Sequence, residues 1–138
     1  MKNHIILDAG AVLDMAIAAR AGHKAASALL SAIESNGIIA SVCSSDLPAI
    51  YDEISDFMDS DAKLYLDAML QAFDMMSVDE AVCKQALEVL DDNLSAAILQ
   101  VCAEKAGVDY IITNDAGAYR KSNIKAIDAA RYLQAAGA

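Results

Sequence analysis

The stretch His4-Ile5-Ile6-Leu7-Asp8-Ala9-Gly10-Ala11-Val12-Leu13-Asp14 decides how the chain is read. Ile5, Ile6 and Leu7 are consecutive and apolar, and two of them are β-branched, which is the pattern of a short strand buried on both faces. The run stops at Asp8. Gly10 then permits a tight turn, and Ala11 to Ala19 carries apolar residues at helical spacing. An acid at the C-terminal end of a parallel strand stands where open α/β folds place their chemistry. A second stretch of this kind, Tyr110-Ile111-Ile112-Thr113-Asn114-Asp115, lies near the other end of the sequence.

Outward from these two stretches, strands and helices alternate. Gly22 closes the first helix. Lys24 to Glu34 forms a second, stopped by Ser35-Asn36-Gly37. Ile38 to Val42 reads as a strand, and Ser44-Ser45-Asp46 supplies caps for a helix over about 46–58, with Pro48 tolerated in its first turn. Asp59-Ser60-Asp61 breaks that helix and caps another, 62–71, so the pair reads as a helical hairpin. Phe73 to Val78 contains a third strand. Asp79 and Glu80 charge the start of a helix reaching about Leu90, and Leu94 to Ala106 forms the next, ended by Gly107. Val108 to Thr113, a loop over 117–123, Ile124 to Ile127, and a last helix capped by Asp128 complete the series. The order β α α β α α β α α β β α predicts a three-layer α/β/α sandwich around a mostly parallel sheet of four to five strands, as one domain over 1–138.

The bulk properties narrow the function. There are 20 acids against 10 bases, a net charge of −10. A surface that binds nucleic acid by phosphate neutralisation alone needs clustered Lys and Arg, and this composition argues against one. A metal-dependent nuclease is compatible with it, because carboxylates can hold the cations that meet the phosphate. No apolar run approaches the roughly 18 residues that span a membrane, and no signal peptide precedes the first strand, so the expectation is a cytoplasmic protein. Cys43, Cys83 and Cys102 have no CxxC spacing and an odd total, and read as reduced core residues. The common nucleotide-binding motifs are absent: no G-x-G-x-x-G follows the first strand, no Gly-Lys-Ser/Thr is present, and the Asp-x-Asp of haloacid-dehalogenase phosphatases fails at Gly10.

The chain resembles the PIN domain family of metal-dependent endoribonucleases, which includes many bacterial toxins. The resemblance rests on Ile6-Leu7-Asp8 followed by Val12-Leu13-Asp14, on a Ser-headed helix after the second strand, and on Ala103 to Asp115, similar to the family's penultimate helix, its fourth strand and the Thr-x-Asp beyond. It implies a PIN-like fold in which one or two Mg²⁺ or Mn²⁺ ions, held by three or four carboxylates, activate water against an RNA phosphodiester. By position, Asp8 matches the first acid, Asp115 the last, and Thr113 the accompanying hydroxyl. The sequence departs from the family at the other two acids, which fall at Ala96 (or Ser95) and near Ala49, and at Gly10, where the family has Asn or Ser.

Asp92, Asp46 and Glu53 share helical faces with the vacated positions and are candidate substitute ligands. One helical turn is about 5.4 Å and a Mg²⁺–oxygen bond about 2.1 Å, so substitution requires a shifted helix start or a bridging water. Each candidate also has a purely structural reading. Asp8 can cap the turn, Thr113 and Asp115 can form an Asx-type turn, Asp46 and Asp92 can serve helix starts, and Asp14 can hold a solvent-facing turn. His4 and His23 have no partner at ligand spacing. Arg20, Arg120, Lys121, Lys125 and Arg131 are candidates for phosphate contact, although scattered basic side chains are usually just solvated. The expectation is a PIN-like endoribonuclease with an incomplete carboxylate cluster. The alternative is an inactive PIN-fold module binding RNA or a small antitoxin-like protein, with homodimerisation open in either case.

Overall fold

In the computed structural model, which describes residues 3–57 and 62–136, five strands form one parallel sheet in the order β3-β2-β1-β4-β5. They are β1 (His4–Leu7), β2 (Ile39–Cys43), β3 (Asp74–Met76), β4 (Tyr110–Ile112) and β5 (Lys125–Ile127). Seven α-helices are described: α1 (Ala9–Ala16), α2 (His23–Asn36), α3 (Leu47–Phe57), α4 (Ala62–Ala72), α5 (Glu80–Val89), α6 (Leu94–Ala106) and α7 (Ala129–Ala135). The element order is the one expected from the sequence. The Asp59-Ser60-Asp61 helix break lies outside the described residues.

The central strand shows why an unbroken apolar run is needed. Ile5 and Leu7 point into a core shared with α1, α2, α3, α4 and α7, whereas Ile6 points the other way into a core with α5 and α6. Ile112 and Ile111 of β4 divide in the same manner. Each such side chain, fully buried, contributes about 1.5–3 kcal/mol. The result is the three-layer α/β/α sandwich.

Local chemistry sets most boundaries. Gly37 and Gly107 end α2 and α6 at φ 70° and φ 65°, left-handed values that glycine adopts without penalty. Asp8, Asp79, Asn93 and Asp128 each accept a backbone N–H of the first turn of the helix that follows.

Four expectations need correction. Gly10 lies inside α1 rather than in a turn, because Asp8 caps the helix two residues earlier than Ala11 implies. Gly22 precedes α2 instead of closing α1. Asn93, and not Asp92, caps α6. Cys83 is exposed, since Val82 and Ala86 face the core from α5, whereas Cys43 and Cys102 are buried as expected.

The chain leaves β1 toward β2 and β3 on one side, then crosses to β4 and β5 on the other. The reversal lies between β1 and β4, and the crevice beyond the C-terminal ends of these strands is where open α/β sheets bind ligands. Asp8 and Thr113 immediately follow those two strands.

Candidate functional site: a carboxylate pair beyond the central strands

Asp8 is held from several sides. Its Oδ1 accepts the Ala11 N–H at 2.9 Å, which caps α1. Its Oδ2 accepts a long hydrogen bond of 3.4 Å from the Tyr119 hydroxyl. Thr113, also buried, donates its hydroxyl to the same carboxylate and accepts the Asp115 N–H at 3.0 Å. Burial pushes the Asp8 carboxyl above its ordinary pKa, against these three hydrogen bonds, and the charge of Asp14 adds to the rise.

The second carboxylate is Asp46. It ends a short 3-10 turn, Ser44–Asp46, between β2 and α3, and is 6% exposed. That turn rotates the start of α3 so that Asp46 faces inward while Ala49 faces solvent. Asp46 makes neither an ion pair nor a hydrogen bond among the described residues. Its pKa is pushed up to about 6, first by burial and then by the negative charge of Asp8. Tyr119 feels the charge of both acids: its ring is buried, and burial together with the charges of Asp8 and Asp46 raises its own pKa, so the phenol remains a donor.

The other sequence candidates lie apart from this pair. Asp115 is exposed and, with Asp92, Asn93 and Ser95, lines an open cleft of about 620 Å³ at the start of α6. Ala96, one of the positions where the resemblance implies an acid, is buried in the first turn of α6. Glu53 is half-buried two turns beyond Asp46 and takes part in none of these contacts. Asp14 departs most from expectation. Instead of holding a solvent-facing turn it is 4% exposed, its Oδ1 accepts Arg20 Nε at 2.7 Å, and its Oδ2 accepts Asn114 Nδ2.

Sequence reasoning missed Tyr119 and the inward aim of Asp46. Tyr119 belongs to a 3-10 turn, Ala116–Tyr119, within a stretch read mainly as loop. The only prior signal was an aromatic residue four positions after Asp115.

Among the described residues, no group of three or more His, Cys, Asp or Glu side chains is arranged to hold a metal ion. Two carboxylates nevertheless match what Mg²⁺ commonly takes from a protein, because it keeps several waters and completes its shell with substrate phosphate. The donor set fits a cation shared with a substrate, and not one caged by protein alone.

The same fold occurs in solved structures. VapC20 of Mycobacterium tuberculosis, a Sarcin-Ricin loop cleaving toxin, matches with a TM-score of 0.71 at 15% identity, over 85% of this chain and 94% of that one. FitAB bound to a DNA fragment matches at 0.68 and 12% identity, over 91% and 94% of the respective chains. VapBC2 from Rickettsia felis, bound to a DNA fragment from its promoter, matches at 0.62 and 9% identity, over 91% and 97%. These neighbours are PIN-domain toxins, and the fold of this chain is PIN-like. No family model and no curated protein sequence matches the chain, so the likeness is one of fold.

Proposed function

We propose that this PIN-like chain is an endoribonuclease that hydrolyses RNA phosphodiesters with Mg²⁺ or Mn²⁺, working from an acidic centre reduced to Asp8 and Asp46. The observation that supports this reading is the pair itself, two carboxylates beyond adjacent strands β1 and β2 with no cation beside Asp46 among the described residues. Burial and mutual repulsion make its doubly charged form costly, and a divalent cation removes that cost. An acid whose pKa is raised by burial and by a like charge is a functional-site candidate.

When bound, the metal supplies a hydroxide-like water and offsets charge on the phosphate. The remaining tasks fall to the chain. Asp8 and Asp46 hold the cation. Thr113 and Tyr119 fix the Asp8 carboxylate. Asp115, tied through its N–H to Thr113, stands at the rim, where it meets the substrate or its metal from the open side. Asp92 belongs to that open cleft, and Glu53 has no part in the centre. We assign the activity to the cytoplasm; no helix among the described residues is long and apolar enough to cross a membrane.

A second reading is favoured by the count of acids. With only two converging carboxylates among the described residues, the domain works as an inactive binding module for RNA or for an antitoxin-like protein. Exposed Tyr51 and Phe57 on α3 and Leu64 on α4 offer apolar surface for such a partner or for a second copy in a homodimer.

Calorimetric titration of Mn²⁺, run beside a single-stranded RNA cleavage assay, separates the two. The enzyme reading expects binding in the millimolar range or tighter and cleavage, both abolished by Asp8→Asn and Asp46→Asn. Absence of metal uptake, with wild type and both variants indistinguishable on RNA, leaves the binding module.

A further inference from the structure

The Asp14–Arg20 pair is built in a way that a purely structural ion pair does not require. Asp14 takes only Nε of Arg20, at 2.7 Å, and is itself pinned by Asn114 of the loop after β4. The two Nη groups of Arg20 make no hydrogen bond or ion pair among the described residues, and the side chain is 32% exposed. One of them also lies beside Gly10. The point where a Cβ on Gly10 would sit is 3.9 Å from Arg20 Nη2 and 3.6 Å from Asp8 Oδ1, so the guanidinium and the Asp8 carboxylate both lie within van der Waals range of that point. Asp14, Arg20, Gly22 and Asn114 line a groove of about 480 Å³.

From this geometry we infer that Arg20 is a phosphate-binding residue, holding a backbone phosphate of single-stranded RNA over Gly10 beside the Asp8/Asp46 pair. The inference rests on RNA being the substrate. A guanidinium anchored through Nε presents its Nη edge as a preset fork for two phosphate oxygens, and a buried carboxylate holding that anchor locks the rotamer before the ligand arrives. Gly10 matters by what it lacks: a side chain there would fill the space the phosphate enters. In a chain of net charge −10, with the Asp8 carboxylate close by, a fixed cation at this point also offsets the repulsion that an approaching phosphate meets. Arg20 would therefore contact the substrate directly, whereas Asp14 and Asn114 position it.

The test measures binding and not turnover. Affinity for a fluorescent single-stranded RNA oligomer is followed by anisotropy in EDTA, over a range of salt, for wild type, Arg20→Ala, Arg20→Lys and Gly10→Ala, with melting temperatures in parallel. Arg20→Ala is expected to weaken binding about tenfold and to lower the slope of log K against log salt by about 0.7, the loss of one phosphate contact on a single strand. Arg20→Lys retains a cation for Asp14 and guards against misfolding; it keeps the salt slope but loses affinity, because an ammonium cannot serve Asp14 and phosphate as a fork. Gly10→Ala is expected to weaken binding while raising the melting temperature, since alanine is the better helix former. If wild type binds the oligomer and both Arg20 variants match it in affinity and slope, the Arg20 assignment is overturned and the RNA reading stands. If wild type binds no RNA either in EDTA or with Mn²⁺ restored, both fall.

Discussion

Asp14 and Asp46 are both buried aspartates near the C-terminal ends of the central strands, and their surroundings are opposite. Asp14, 4% exposed, has a guanidinium on one oxygen and an amide on the other. Asp46, 6% exposed, has the negative charge of Asp8 for a neighbour and no compensating cation among the described residues. The first carboxylate is part of what holds the fold together. The second costs the fold stability once it ionises, which makes it a candidate for binding rather than for support.

The most direct way to break this contrast is to remove Asp14. Asp14→Ala leaves the Arg20 head and the Asn114 amide without their acceptor. Losing one partner of a fully buried pair costs about 3–5 kcal/mol, and because Arg20 is about one-third exposed the expected loss is nearer 2–3 kcal/mol, read from urea unfolding. A loss under 1 kcal/mol would place Asp14 in the same class as Asp46. Gly22→Ala strikes the same acid from outside: the added Cβ would lie 2.3 Å from Asp14 Oδ2, too close to be accommodated in place. Displacing the carboxylate is expected to cost about 1–3 kcal/mol in the same measurement.

Asp46→Asn should act with the opposite sign. The folded pKa of Asp46, about 6, stands above its unfolded value of 3.8. The native state therefore holds a proton that the unfolded chain has released, and stability is full below pH 4 and falls as pH rises toward 6 and beyond. A shift of about two units corresponds to at most about 3 kcal/mol, and solvent screening brings the expected figure to about 1–2 kcal/mol. The variant should accordingly be more stable than wild type at pH 8 by that amount and indistinguishable at pH 4. Mn²⁺ should stabilise the wild type at pH 8 and not the variant. The smallest effect is expected from Tyr119→Phe. Its hydroxyl bond to Asp8 is long, 3.4 Å, so its loss should cost about 0.5 kcal/mol, the low end for a hydrogen bond, with no change in fold.

The sequence was informative wherever structure is decided locally. Ile5-Ile6-Leu7 announces a strand covered on both faces, because successive side chains of a strand alternate between its faces and the run is too short, and too rich in β-branched residues, for a helix. Gly37 and Gly107 announce helix ends because only glycine takes that turn freely, and α6 was bounded to the residue. Asp8 was legible for the same reason, as the acid at the end of a buried strand. What escaped reading depends on geometry acting at a distance. The inward turn of Asp46 needs the 3-10 segment that rotates α3 relative to β2, and spacing along an ideal helix could not anticipate it. The bond between Asp14 and Asn114 joins positions 100 apart in the chain. The Tyr119 hydroxyl reaches Asp8 across 111 positions, and nothing in its neighbours marks it.

The parallel arrangement with β1 at the centre has a bearing on how the protein comes into being. Asp8 is translated before β4 and Tyr119, which complete its surroundings and are made about a hundred residues later. Non-local pairing of this kind folds late, after the chain that supplies it is available. A nascent chain therefore carries no finished surroundings for Asp8 until β4 and Tyr119 have been made, and the proposed activity toward RNA would be withheld from the message and the ribosome producing it.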